Sequence, residues 1–221
     1  MSFKIKTFST TDYEMSVSEE VITASLAGAS VVLTGGTTAE KIYPMLAPKR
    51  DWSGVTFAFS DERCVGPGDP ASNYGMARRL FLDPAGANSI HRMKGELDPP
   101  AAAAAYSDEI AGLVHRGFDL LLLGMGADAH IGALYPGSLA LQESSYCAAV
   151  DRPDGMKGLT LTPPAMLSAR KVLLLVTGTA KAATVKRALS SDEAPATCPV
   201  RLFASHPDVT FLLDEAATPA L

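Results

Sequence analysis

Three short, nearly uninterrupted apolar runs constrain the fold of this chain more than any other feature: SVVL at Ser30–Leu33, LLLL at Leu120–Leu123 and VLLLV at Val172–Val176. Each has the length of a strand rather than a helix. A continuous run without polar alternation suits a strand buried on both faces, as in a parallel sheet covered by helices. Each run also meets a glycine soon after it ends, at Gly35, Gly124 and Gly178, where the backbone can turn at the strand's carboxyl end. Weaker runs at Phe3–Phe8, Val55–Phe59, Tyr146–Val150 and Val209–Leu213 read as further strands. Between them the pattern predicts helices over Thr11–Ala27, capped by Thr10 or Thr11, and over Ala39–Leu46, Asn73–Phe81, Ala101–Val114 and Ala180–Leu189. Strands alternating with helices predict an α/β fold. The expectation is a single doubly wound, mostly parallel sheet with helices on both faces, with room for an antiparallel edge in the carboxyl-terminal part. No linker interrupts the pattern, so residues 1–221 are expected to form one domain.

The chain is long enough to bury a core, with 221 residues, 47% hydrophobic, and a mean hydropathy of +0.14. No apolar run approaches the roughly 20 residues that cross a bilayer. The amino-terminal segment MSFKIKTFSTTDYEMS has two lysines but no apolar stretch behind them, unlike a secretory signal. Cys64, Cys147 and Cys198 are odd in number and far apart, and they read as free thiols in a reducing cytoplasm. A net charge of −5 and a pI near 5.4 argue against a nucleic-acid surface. The expectations are a cytoplasmic protein with no membrane or nucleic-acid partner, no cofactor and no metal, since no His/Cys/carboxylate spacing matches a ligand set. A monomer or small homo-oligomer is expected.

Chemistry concentrates at the predicted strand ends. In open α/β sheets ligands bind beyond the carboxyl ends of the strands. The stretch Phe118–Ser138, FDLLLLGMGADAHIGALYPGS, delivers Asp128 and His130 there, two residues apart, an acid and an imidazole placed for proton transfer. On spacing alone, the same pair also reads as a polar loop in which Asp128 caps a helix and His130 packs. The turn Thr34-Gly35-Gly36-Thr37-Thr38 reads as a phosphate cradle, with free N–H groups at a helix start and hydroxyls beside them. A tight turn with a threonine cap fits it too. Asp61, Glu62 and Arg63 follow another strand. Arg63 is a candidate cation for a carboxylate, a lactone oxygen or a phosphate, and Asp61 a candidate to hold it or to position a sugar hydroxyl. A solvated charge cluster is the alternative. Lys181, in Thr177-Gly178-Thr179-Ala180-Lys181, reaches back toward the same crevice or is simply exposed. His91, His115 and His206 read as structural or surface residues.

The order of these loops resembles the 6-phosphogluconolactonase family, within the larger group that includes glucosamine-6-phosphate deaminase. The resemblance rests on LTGGTTAEKIYPMLA, FAFSDERCVGPGDPASNYGMARRLFL, FDLLLLGMGADAHIGALYPGS, VTGTAKAATVKRAL and HPDVTFLLDEAAT, and covers nearly all of the chain from about Leu33. The DER…SN and GMGxDxH…PGS segments are its specific parts. The chain departs from the family in three places. Ala129 replaces a glycine, Ile131-Gly132-Ala133 replaces Thr-Ala-Ser, and Gly158 stands where an arginine usually precedes the TLT segment, with Lys157 before it.

The resemblance implies hydrolysis of 6-phospho-D-glucono-1,5-lactone to 6-phosphogluconate, a step of the oxidative pentose phosphate pathway. His130 would take a proton from the attacking water, Asp128 would orient the imidazole, and Arg63 would stabilise the oxyanion or hold a sugar hydroxyl. Gly35, Gly36, Thr37, Thr38 and Lys181 would grip the phosphate, with Lys157, Arg152 or Lys181 compensating for the absent arginine and Asp61 on a hydroxyl. The sequence leaves two rivals. One is an aminosugar-phosphate deaminase, which lacks its usual acid because Leu134-Tyr135-Pro136 occupies that segment. The other is a sugar-phosphate-binding protein without turnover.

Overall fold

The architecture is that of a computed structural model in which residues 3–190 and 192–219 are described. Met1, Ser2, Ser191, Ala220 and Leu221 of the expected 1–221 domain lie outside the described residues. In chain order the elements are β1 (Lys4–Phe8), α1 (Tyr13–Ala24), β2 (Ser30–Leu33), α2 (Thr37–Leu46), β3 (Thr56–Phe59), β4 (Asp61–Arg63), α3 (Asn73–Ala77), β5 (Ser89–Ile90), α4 (Pro99–Arg116), β6 (Leu120–Gly124), β7 (Cys147–Asp151), β8 (Lys157–Leu161), α5 (Pro163–Leu167), β9 (Val172–Val176), α6 (Ala182–Ser190) and β10 (Val209–Asp214). Among the described residues no helix is long and apolar enough to cross a membrane.

The main sheet has seven strands in the order β1-β10-β9-β6-β2-β3-β5, and every neighbouring pair runs parallel. The expected doubly wound, mostly parallel sheet is therefore present. Adjacent residues of its strands point to opposite faces. Val31, Leu33, Leu120, Leu122, Leu173 and Leu175 join the core under α1 and α2. Val32, Leu121, Leu123, Leu174 and Val176 join the core under α4, α5 and α6. Two covered faces are the physical reason for the uninterrupted apolar runs. The edge strand β1 is largely exposed and carries Lys4 and Lys6, charges that discourage edge-to-edge pairing.

The antiparallel strands do not form an edge of this sheet, where the sequence left room for one. They form a second sheet of three strands in the order β4-β8-β7. The chain leaves β3 at Ser60, whose carbonyl accepts the Leu161 amide at 2.8 Å, and the charged Asp61–Arg63 segment enters the small sheet. Helix α1 starts at Tyr13, later than expected, because the side chains of Ser9, Thr11 and Asp12 bond one another in a preceding turn. β2 and β6 are adjacent, yet the chain leaves β2 toward β3 and leaves β6 toward β9. Such a reversal opens a crevice beyond the carboxyl ends of those strands.

Candidate active site

The turn after β2 forms one wall of this crevice. Gly35 has no room for a side chain: a Cβ there would sit 1.9 Å from Asn73 Oδ1. The Tyr43 hydroxyl accepts the Thr34 amide at 3.1 Å and donates to the Thr34 carbonyl, so the strand end is fixed from inside the core. Helix α2 begins at Thr37 with Gly36 as its N-cap, and no side chain caps it. Its first amides are therefore left to whatever enters the crevice. Thr34 Oγ1 accepts the Gly124 amide at 3.4 Å, and Thr38 Oγ1 lies 3.1 Å from Thr177 Oγ1. The cradle is thus tied to the ends of both β6 and β9.

The turn after β6 holds the imidazole. His130 Nδ1 lies 2.6 Å from Asp128 Oδ1, which also accepts the His130 amide at 3.1 Å. Gly126 is required by close approach, since a Cβ there would lie 2.1 Å from His130 Nδ1 and 2.5 Å from Asp128 Oδ1. Ala129, where the family pattern has glycine, takes the left-handed conformation at φ 72°. The turn follows a course that glycine would also allow, with the Ala129 methyl buried and its carbonyl accepting the Val200 amide at 3.1 Å. Tyr135 packs on the His130 ring, centroids 4.7 Å apart at 46°. Burial pushes the Asp128 carboxyl up, but the His130 amide and ring outweigh it and hold it below the usual carboxylate range.

The corner between β3 and β4 divides the charged triplet. Glu62 turns inward, where its carboxylate accepts from the amides of Arg63, Asn73 and Tyr74 and from the Ser72 hydroxyl. It anchors the 62–74 loop rather than facing a ligand. Asp61 accepts from Ser60 Oγ at 2.8 Å and Asn73 Nδ2 at 3.0 Å. It does not pair with Arg63, whose Nη1 donates to the Ala71 carbonyl at 2.6 Å. Arg63 Nε and Asn73 Oδ1 are buried with no hydrogen-bond partner.

One cavity gathers these groups. Gly35, Gly36, Thr37 and Thr38 line it from β2, Asp61 and Arg63 from β3–β4, His130 from β6 and Lys181 from the turn after β9. Asp128 touches it through His130. Burial pushes the Lys181 ammonium down, opposed by the charge of Asp214. The Asp214 carboxylate accepts the Gly178 amide at 3.0 Å and so fixes the turn that carries Lys181. Lys157 is the exception among the expected residues. It does not line the cavity, because β8 points it outward onto Asp151, where its side chain is exposed. Arg152 lines the cavity instead, together with Tyr135, which the sequence reading did not single out. The only sequence signal for Tyr135 was its spacing after His130. His91 pairs with Glu109, His115 meets the Tyr146 hydroxyl and His206 meets the Ala169 carbonyl, all outside this cavity. Among the described residues no group of three or more His, Cys, Asp or Glu side chains could hold a metal.

Residues 10–211 match the model of the family described as glucosamine-6-phosphate isomerases/6-phosphogluconolactonase. A 6-phosphogluconolactonase of Treponema pallidum (strain Nichols) is 37% identical over 164 residues, 68% of each chain. The crystal structure of a 6-phosphogluconolactonase from Shewanella baltica OS155 superposes with a TM-score of 0.86, at 25% identity, over 96% of this chain and 97% of that one. A monomeric glucosamine-6-phosphate deaminase superposes equally well, with a TM-score of 0.87 at 22% identity over 97% of this chain and 98% of that one. The shared fold therefore does not separate the two activities. Sequence, fold and the order of the strand-end loops agree that the chain belongs to the glucosamine-6-phosphate isomerase/6-phosphogluconolactonase family.

Proposed function

We propose that this protein hydrolyses 6-phospho-D-glucono-1,5-lactone to 6-phosphogluconate. The observation that carries the reading is a His130–Asp128 pair in one cavity with an uncapped helix start and the cations Arg63 and Lys181. The phosphate sits on the amides and hydroxyls of Gly36, Thr37 and Thr38, with Lys181 completing the grip. That places the lactone carbonyl toward His130. With Nδ1 held by Asp128, Nε2 accepts a proton from water as the water attacks the carbonyl, and later returns it to the ring oxygen as the C–O bond opens. Asp128, held ionised, fixes the ring orientation and stabilises the imidazolium. Arg63 lowers the energy of the tetrahedral oxyanion. Asp61 orients a sugar hydroxyl. A lactone is already reactive, so a single acid–base pair and a cation suffice.

The deaminase reading is weaker because Leu134 and Tyr135 stand where that chemistry takes an acid. The binding-only reading has no use for the His130–Asp128 contact. The deciding measurement is hydrolysis of freshly made 6-phosphogluconolactone, coupled to excess 6-phosphogluconate dehydrogenase and corrected for the enzyme-free blank. A corrected rate well above the blank is expected. A rate equal to the blank, or release of ammonia from glucosamine 6-phosphate in its place, overturns the reading.

A further inference from the structure

Arg152 belongs to the hairpin between β7 and β8, where Val150 pairs with Gly158 and Asp151 with Lys157. The hairpin closes on itself through the Arg152 amide on the Met156 carbonyl at 3.0 Å and the Gly155 amide on the Arg152 carbonyl at 3.0 Å. Asp154 then folds back and accepts from Arg152 Nε at 3.2 Å and Nη2 at 2.9 Å. Among the described residues no acceptor engages Arg152 Nη1. The side chain is only 10% exposed, yet it lines the cavity that holds His130.

The path of this side chain depends on a glycine. A Cβ at Gly158 would lie 3.0 Å from Arg152 Cδ, 3.3 Å from its Cγ and 3.3 Å from the Glu62 carbonyl. Gly158 is not among the glycines with positive φ, so its backbone is open to any residue. A side chain at 158 would press on the Arg152 stem, which would have to shift by a few tenths of an ångström. The stem of Arg152 fills the volume that a side chain at 158 would take.

The cavity's cations also fall into two groups. Tyr135 and Asp154 each feel the charges of both Arg152 and Arg63, whereas the charge acting on Lys181 is that of Asp214. One basic end thus lies beside the small sheet and another at the turn after β9. A phosphorylated lactone brings one anion, the phosphate. Opening the ring creates a second, first as an oxyanion and then as a carboxylate. Burial disfavours the Arg152 charge, but the Asp154 hydrogen bond and the nearby Tyr135, Asp154 and Asp61 outweigh it, so the guanidinium stays charged with its Nη1 edge left for an incoming anion.

We propose that Arg152, laid across Gly158, is a substrate-binding residue that recognises the carboxylate end of the ligand, and that Gly158 is the glycine that opens its path. The inference rests on the phosphorylated-lactone reading and names the group that tells the product from a sugar phosphate without a carboxylate. Arg63 and Arg152 together bracket the reacting carbon, and Lys181 with the cradle takes the phosphate.

Calorimetric titration of the full chain with 6-phosphogluconate and with glucose 6-phosphate tests this without any turnover. The wild type should prefer 6-phosphogluconate, which carries both anions. Arg152→Gln should weaken 6-phosphogluconate about 10- to 100-fold, the loss expected for a charge-assisted hydrogen bond, and leave glucose 6-phosphate nearly unchanged. Gly158→Ala should produce the same selective loss although it removes no charge. The double variant should be little worse than either single one. Circular dichroism and melting temperature establish that each variant is folded, and Arg152→Lys serves where Gln is not. Unchanged 6-phosphogluconate affinity in a folded Arg152 variant, or equal weakening of both ligands, overturns the assignment and leaves Arg152 as a hairpin brace. A wild type that binds neither sugar phosphate overturns the functional reading itself, whatever the variants do.

Discussion

The two nitrogens of His130 have different jobs, and their difference is set by one carboxylate. Asp128 meets Nδ1 at 2.6 Å and also holds the His130 amide, so ring and backbone are fixed by the same oxygen. His130→Asn keeps a polar side chain of similar reach but no base. It should lower blank-corrected kcat by roughly 10²–10⁴-fold, the range for a positioned general base. Near wild-type turnover in that variant would place the base elsewhere. Lys181 yields a pH prediction of definite sign. Burial favours its neutral form, which lowers its pKa, with Asp214 opposing. The ammonium is therefore lost at a lower pH than in a free lysine, whose value is about 10.4. Affinity for 6-phosphogluconate should fall on the alkaline side before ordinary lysines titrate. Lys181→Arg, which does not titrate there, should carry the affinity to higher pH. An alkaline limb identical in both proteins would exclude Lys181 as the titrating cation.

At the scale of the element, the turn after β6 raises the question of how alanine occupies a left-handed position. An L-residue in that region costs about 1–2 kcal/mol. Glycine would remove this cost but add roughly 0.4–1 kcal/mol of unfolded-state entropy, and it would lose a buried methyl worth about 0.8 kcal/mol. These terms nearly cancel. Ala129→Gly should therefore shift the urea-unfolding free energy by no more than about 1 kcal/mol, with kcat unaltered; a change of several times that size would mean that the strain has been misjudged. The same element shows why parts of the fold were readable. β2, β6 and β9 are buried on both faces and so announce themselves as apolar runs, and each leads directly into a turn that lines the cavity. β4 has only three residues, all charged, and resembles a loop because its order comes from Glu62 hydrogen bonds rather than from burial of apolar surface. The β7–β8 hairpin has short, mixed strands, CAAVD and KGLTL, with no clear period. Without that hairpin, nothing in the sequence distinguishes Arg152 from Lys157, although one faces the cavity and the other faces solvent.

Across the whole molecule the two ends of the parallel sheet are chemically unlike. The carboxyl ends carry the cavity, with open amides and cations. The amino ends are stitched by carboxylates. Asp119, just before β6, accepts from the amide and hydroxyl of Ser30 at the start of β2 and pairs with Arg170 just before β9. Asp208, just before β10, pairs with Lys4 of β1 at 2.9 Å and Lys171 at 3.4 Å. These contacts join the starts of five neighbouring strands, so the site end is free to keep unsatisfied groups for a ligand. Partial burial pushes Asp119 up, but Ser30 and Arg170 outweigh it; burial likewise raises Asp208, and Lys4 and Lys171 outweigh it. Both carboxyls therefore titrate below their unfolded value of about 3.9. A depressed acid adds stability that is fully present above the unfolded value and disappears as pH falls through the folded one. Unfolding free energy, measured by urea titration from pH 7 downward, should hold to about pH 5 and then decline steeply, by linkage to these carboxylates. Asp119→Asn and Asp208→Asn should each lower stability at neutral pH and make the acid decline shallower, because the variant has one fewer proton to take up on unfolding under those conditions. An acid limb as steep in the double variant as in the wild type would show that the strand starts are held by packing alone.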